Sequence, residues 1–363
     1  MTPPFCEISP GFWKNKRVLV TGHTGFKGSW LSIWLNRMGA SVMGYSLAPA
    51  TDPSLFKLTE LEKSIRSVIG DIRDLEHFRK HYAEFKPEIV FHLAAQALVR
   101  PSYKDPLGTY ATNVMGTAHV LETVRQLGAQ VVVNVTSDKC YENREWIWGY
   151  RENEPMGGFD PYSSSKGCAE LVTAAYRQSY FSGAIGTKLI GLASARAGNV
   201  IGGGDWAEDR LIPDCIRSLI NGQTIPIRHP GSIRPWQHVL EPLGGYLLLA
   251  ERLWDDPLTF SQAWNFGPDT TEVQPVSWIA DHMTALWGKG AQWECLAPPD
   301  ALHEAHYLKL DCSLAQSKLK WRPRMTLEQA LHWVVEWYQR VHNGESALKL
   351  TTEQIDRFEE LRN

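Results

Sequence analysis

Between Arg17 and Tyr45 the chain spells out one folding unit. Arg17 to Thr21 is a short apolar run that reads as a buried strand. It breaks into Gly22-His23-Thr24-Gly25-Phe26-Lys27-Gly28, and Ser29 to Met38 then carries helical periodicity through Trp30, Ile33 and Trp34. Gly39 stands where a helix C-terminus wants a left-handed residue, and Ser41 to Tyr45 reads as the next strand. Strand, glycine turn, helix and strand in this order make a βαβ unit, which commits the chain to a parallel sheet. In such a unit glycines let the backbone approach a pyrophosphate, and the helix start offers unpaired N–H groups. Gly22, Thr24, Gly25, Phe26 and Gly28 are therefore the first candidates for holding a dinucleotide. The spacing is G-x-x-G-x-x-G, and the alternative is a tight turn with no ligand.

The alternation continues. Strands are expected at Ser67–Gly70, Ile89–Ala94, Val131–Val135 and Thr187–Ala195, and helices at Asp74–Phe85, Gly108–Gln126 and Tyr162–Tyr180. The pattern predicts an α/β fold, a Rossmann-type doubly wound parallel sheet over residues 1–195. Residues 196–345 are expected to form mainly a smaller C-terminal substrate-binding lobe, with some segments returning to the sheet. Its helices are predicted near Ile212–Ile220, Glu241–Leu253, Val276–Trp287 and Leu327–Val341. Residues 346–363 read as a polar, peripheral tail. A ribose-binding acid belongs at the end of the second strand, but Tyr45-Ser46-Leu47 stands there, so the residues leave NAD and NADP both open.

Val131 to Val135 is a strand to be buried on both faces, and it runs directly into Ser137-Asp138-Lys139. Function in open α/β sheets collects past the carboxyl ends of such strands. Tyr162 and Lys166 are four apart and share a helix face. A lysine beside a tyrosine favours the phenolate, which makes Tyr162 a candidate general base. Against this stand a solvated helix face for the pair, and an N-cap with a turn for Ser137 and its neighbours. Arg228, Arg234 and His238 are candidates for clamping a diphosphate.

Composition narrows the classes. With 43% hydrophobic and 21% charged residues the chain has ample material for a core, and a net charge of -3 gives no case for nucleic acid. The six cysteines form no C-x-x-C pair and no histidine cluster has metal spacing, so no metal site is expected. Cys6, Cys140, Cys168, Cys215, Cys295 and Cys312 read as reduced thiols of a cytoplasmic protein. Met1 to Trp13 lacks the pattern of a signal peptide, and no apolar run approaches the ~18 residues that span a membrane. The 15 tryptophans are expected mostly in core and cleft wall.

Thr21-Gly22-x-x-Gly25-Phe26-x-Gly28 together with Tyr162-x-x-x-Lys166 resembles the extended short-chain dehydrogenase/reductase family. Gly70-Asp71-Ile72, His92-Leu93-Ala94-Ala95, Asn113-x-x-Gly116-Thr117 and Asn199-Val200 extend the resemblance over nearly the whole chain. Ser137-Asp138-Lys139, residues 44–49 and residues 234–242 resemble the 4,6-dehydratase branch acting on cytidine-linked hexose; the preference for cytidine rests on resemblance alone. The resemblance implies a tightly held NAD, reduced and reoxidised within one turnover. It also implies a nucleotide-diphosphate hexose substrate, a homo-oligomer (dimer or tetramer), and a place in deoxysugar and lipopolysaccharide biosynthesis. By position, Ser46, Asp71, Ile72, Leu93, Ala94, Ala95 and Asn113 would join Tyr162 and Lys166 at the cofactor. Gln96, Asn199, Arg210, Leu211, Arg234, His238 and Asn265 would hold the substrate. Ser137, Tyr162 and Lys166 would serve oxidation at C4. Asp138 and Lys139 would share the elimination as acid and base, in either order. A 4-epimerase of the same family needs only the Tyr/Lys pair, and a non-catalytic sensor of this fold needs neither pair.

Overall fold

The computed structural model describes residues 7–184, 186–269, 272–296 and 308–361. Cys6 and positions 362–363 of the tail lie outside the described residues. Seven strands form one parallel sheet: β1 (Arg17–Thr21), β2 (Ser41–Ser46), β3 (Arg66–Ile69), β4 (Ile89–His92), β5 (Val131–Val135), β6 (Gly191–Ala197) and β7 (Ala263–Phe266). Their spatial order is β3-β2-β1-β4-β5-β6-β7, so the winding reverses between β1 and β4. The chain is thus the doubly wound Rossmann-type α/β fold that the alternation predicted.

Side-chain alternation along each strand feeds two separate cores. Val18, Val20, Val131 and Val133 face one side, where Trp30, Trp34, Leu243 and Leu247 meet them. Leu19 and Val132 face the other, against Phe78, Tyr82, Val120 and Val124. All five residues of β5 are buried, as a β-branched run covered on both faces requires.

Helix α1 (Phe26–Arg37) follows the glycine turn, and α2 (Leu75–Phe85) is capped by Asp74. The helix expected from Gly108 to Gln126 is interrupted. Residues Ala111–Met115 form a π-turn, and α3 runs only over Gly116–Leu127. Helix α4 (Pro161–Tyr180) begins at the Asp160 cap, whose side chain accepts from the Ser163 N–H. The strand expected from Thr187 starts at Gly191 as β6, so the boundary lies later in the chain.

Residues beyond β6 serve both regions. Helix α5 (Leu211–Ile220) lines the cleft at the sheet's carboxyl edge and packs on the short strand Ile225–Ile227, which pairs with Trp293–Cys295, while α6 (Leu240–Asp255) packs under β5 and β6, and β7 completes the sheet. Helices α7 (Val276–Trp287) and α8 (Leu327–His342) follow. The tail corrects its expectation: it is not peripheral. Ala347–Glu360 is a helix, α9, whose Leu350, Ile355 and Phe358 are buried. Phe358 meets Trp34 of α1 edge-on at 5.8 Å, and the Trp34 indole N–H donates to Glu359 at 2.7 Å. Its polar residues face outward at helical spacing, which is why its composition resembled that of a solvated tail.

Candidate active site

The winding reversal beside β1 opens a crevice, and a cleft of about 1760 Å³ runs from it across the carboxyl ends of the strands to α5 and Arg234. Gly22 forms one wall with φ of 78°; a Cβ there would lie 2.8 Å from the Ala94 nitrogen. At Gly28 a Cβ would lie 2.1 Å from the Gly22 carbonyl oxygen, so only glycine permits this close turn. The N-cap of α1 is Gly25, and no side chain caps that end. Thr24, Gly25 and Phe26 line the cleft there, and the free N–H groups suit a diphosphate. The Thr24 hydroxyl lies 2.9 Å from that of Ser46 and donates to the Leu47 carbonyl at 2.8 Å, tying the turn to the end of β2. Asp71, Ile72, Leu93, Ala94 and Ala95 line the same end. Asp71 is held by the Arg73 guanidinium at 2.6 Å, which keeps its carboxyl below the usual range. These features fit a dinucleotide.

Ser137 caps the single turn Asp138–Cys140 that follows β5. Its hydroxyl donates to Asp138 Oδ1 at 3.0 Å and accepts from the Lys139 N–H at 3.2 Å. Asp138 is 3% exposed, and its Oδ2 has no hydrogen-bond partner. Gly198 leaves it room: a Cβ there would approach Oδ2 to 2.8 Å. Burial pushes the Asp138 carboxyl up, against the pull of Lys139. Lys139 is half-buried beside it, and both line the cleft.

Tyr162 and Lys166 reach the same cleft from α4. One expectation needs correction here. Burial pushes the Tyr162 phenol up to about 12; Ser137 and Arg210 pull it down, and Asp138 adds to the rise. The Lys166 ammonium donates to the Val135 carbonyl at 3.3 Å and is itself drawn down to about 8 by burial. Loss of hydration therefore outweighs any help the neighbouring lysine gives the phenolate in this state.

On the opposite side, Gln96, Asn199, Arg210, Leu211, Arg228 and Arg234 line the cleft. Arg210 pairs with Asp205 at 2.9 Å. Three expected contact residues do not line it. Asn113, on the π-turn, instead accepts from the Gln96 N–H at 2.8 Å and donates to the Ser165 hydroxyl at 2.8 Å. It braces the loop after β4 against α4. His238 is fully buried between Trp30 and Trp333, and burial draws it down to about 3, so it is neutral and cannot clamp an anion. Asn265 is also fully buried: it accepts from the Tyr141 hydroxyl at 2.7 Å and donates to the Tyr150 and Asp311 carbonyls.

Several residues escaped the sequence reading. Lys27, inside the glycine turn, lines the cleft and is drawn down to about 7 by burial, with Arg210 and Lys166 adding to it. Glu170 extends the Tyr162/Lys166 stripe by one more turn, a spacing visible in the sequence. Its partner Arg196, on β6, carries no such signal. Among the described residues no group of His, Cys, Asp and Glu is arranged to hold a metal, and no helix is long and apolar enough to cross a membrane.

Residues 19–257 match the family model described as GDP-mannose 4,6 dehydratase. The chain is 58% identical over 353 residues to CDP-glucose 4,6-dehydratase of Salmonella typhimurium, covering 97% of this chain and 98% of that one. It is 27% identical to UDP-glucose 4-epimerase of Mycolicibacterium smegmatis, over 89% of this chain and 98% of that one. Among solved structures, dTDP-glucose 4,6-dehydratase from Bacillus anthracis in complex with NAD superposes with a TM-score of 0.75 at 21% identity, over 92% of this chain and 99% of that one. UDP-glucose 4-epimerase from Thermotoga maritima with UDP-glucose gives 0.75 at 22%, over 90% and 99%. At those identities the two structures speak for the fold alone.

Proposed function

The chain belongs to the GDP-mannose 4,6-dehydratase family of extended short-chain dehydrogenases/reductases, and from that premise we propose that it converts CDP-D-glucose to CDP-4-keto-6-deoxy-D-glucose with NAD as cofactor. One observation carries this reading. A dehydrogenase pair, Tyr162 and Lys166, and an elimination pair, Asp138 and Lys139, line one cleft. An epimerase needs only the first. The relative at 58% identity is a CDP-glucose 4,6-dehydratase, which supports cytidine as the base.

The residues around Gly22, Gly25 and Gly28 would hold the cofactor's diphosphate on the start of α1, with Ser46, Asp71, Ile72, Leu93 and Ala94 along its remainder. NAD, when bound, supplies the oxidant for C4 and, once reduced, the reductant for C6. Tyr162 accepts the 4-hydroxyl proton. Ser137 and Arg210, which pull its phenol down against burial, favour the phenolate that this acceptance requires. The ketone at C4 makes the C5 proton acidic. Lys139 takes that proton and returns one to C5 as C6 is reduced, and Asp138 donates its own to the departing 6-hydroxyl, which leaves as water. The direction of the Asp138 shift supports this division: a carboxyl raised by burial keeps the proton it must deliver. Arg210, Arg228 and Arg234 lie on the cleft side where the substrate's diphosphate would bind. The working form is a homo-oligomer in the cytoplasm, feeding deoxysugar and lipopolysaccharide biosynthesis.

The test is mass spectrometry after incubation with NAD and a panel of nucleotide-diphosphate glucoses. Loss of one water from CDP-glucose, faster than from its uridine, thymidine and guanosine counterparts, is expected. Deuterium placed at C4 should appear at C6 of the same product molecule. An isomer of unchanged mass would return the chain to the epimerases.

A further inference from the structure

Below the catalytic turn lies a buried polar chain that the reaction itself does not use. Glu170, on α4 one turn past Lys166, is 4% exposed, and so is Arg196 on β6. The Glu170 carboxylate accepts from Arg196 Nε at 3.0 Å and Nη2 at 2.8 Å, and from the Thr136 hydroxyl at 2.5 Å. Arg196 Nη1 donates to the Tyr141 hydroxyl at 2.6 Å and to the Glu152 carbonyl at 2.9 Å. Tyr141 in turn donates to Asn265 at 2.7 Å. Thr136 immediately precedes Ser137-Asp138-Lys139, and Tyr141 comes directly after Cys140. Both ends of the turn that carries the elimination pair are thus fastened, through one ion pair, to the helix that carries Tyr162 and Lys166.

A buried ion pair is a poor source of stability, because desolvation cancels most of its attraction. What its directional bonds do provide is position, and here they span the two halves of the active site. Burial pushes the Glu170 carboxyl up, yet Arg196 and the Thr136 hydroxyl outweigh it and hold it ionised. The pair therefore keeps its charge, and its geometry, across the neutral range.

We propose that Glu170 and Arg196 are positioning residues whose bonds to Thr136 and Tyr141 fix the elimination pair relative to the Tyr162/Lys166 helix, so that oxidation at C4 is followed by loss of water before the intermediate escapes. The inference rests on the dehydratase reading. It assigns a purpose to Asn265, which anchors Tyr141 from β7, and to the deep burial of four polar side chains directly under the site.

The test uses Thr136→Val and Tyr141→Phe. Each removes one tether and leaves the Glu170–Arg196 pair bonded. The second substitution also keeps an aromatic ring in the stack that Tyr141 makes on Tyr150, whose centroids are 5.3 Å apart. Single-turnover mass spectrometry of CDP-glucose with NAD separates the 4-keto sugar nucleotide that retains its water from the dehydrated product, and proton exchange at C5 is followed in deuterium oxide. Displacement of catalytic groups by about 1 Å costs roughly a hundredfold, so a partial loss of position should slow water loss and C5 exchange by roughly ten- to hundredfold, with C4 oxidation much less affected. The undehydrated ketone should accumulate, and the double variant should accumulate more. If both steps slow by the same factor, or the partition is unchanged while wild type turns over, the positioning role is overturned and the functional reading stands. If wild type itself removes no water from CDP-glucose, the functional reading is what fails.

Discussion

Burial at Tyr162 opposes the job proposed for it, since a phenol pushed up to about 12 resists giving up its proton. Tyr162→Phe, which changes no volume beyond one oxygen, should leave sugar nucleotide bound and abolish oxidation at C4. Isothermal titration and the absence of any 4-keto product check it, and more than a few per cent residual turnover would point to another base. Lys139→Met should stop solvent deuterium entering C5 while leaving C4 oxidation in place; exchange at the wild-type rate would remove Lys139 as the base. That Tyr162, Lys166 and Ser137-Asp138-Lys139 would open into one cleft was legible because spacing on a helix and position after a strand fix where side chains emerge. His238 and Asn265 were not. Residue type announces what a side chain can bond, but only the fold decides whether it faces ligand or core. His238 faces two indoles and Asn265 faces backbone carbonyls.

Elements were read well where a strong period ran between clear breakers, as for β1, β5 and α7. Reading failed where a break lay inside a helical pattern. Nothing in the periodicity of Gly108–Gln126 announces the π-turn, which inserts an extra residue and turns Asn113 towards Gln96. The tail failed for another reason. Helix α9 buries one narrow stripe, so its mean composition is polar, and only its spacing reveals Leu350, Ile355 and Phe358. Phe358→Ala should cost about 3–5 kcal/mol in urea unfolding, the range for a buried aromatic cut to alanine. It should also weaken cofactor binding, because Phe358 packs on Trp34 of α1. A destabilisation below about 1 kcal/mol would show that α9 is an ornament rather than part of the core.

Across the whole molecule, α6 gathers the separate regions, and two of its carboxylates do so at a cost that depends on pH. Glu251 accepts from the Ser9 N–H at 2.9 Å and the Trp13 indole at 2.8 Å, and Glu241 accepts from the Arg324 and Met325 N–H groups at 2.8 and 2.7 Å. Burial pushes both up to about 7. A carboxyl raised above its unfolded value of about 4.3 binds its proton more tightly when folded, so its contribution is full below that value. The contribution is lost as pH rises through about 7. The melting temperature of wild type minus that of Glu251→Gln should therefore fall between about pH 5 and pH 8. Buried neutral histidines such as His92 give the opposite slope, but they are common to both proteins and cancel in the difference. A difference flat with pH would mean that Glu251 is ionised throughout. The fold class was legible from the alternation alone; the closure of α1 by α9 was not, because it joins residues about as far apart in sequence as the chain allows. That closure also bears on biosynthesis. During translation the nucleotide-binding turn and α1 leave the ribosome early, but the cover over Trp34 stays incomplete until residues 347–360 have been made. The amino-terminal half is consequently a nascent chain whose hydrophobic seam at Trp34 closes only when α9 arrives.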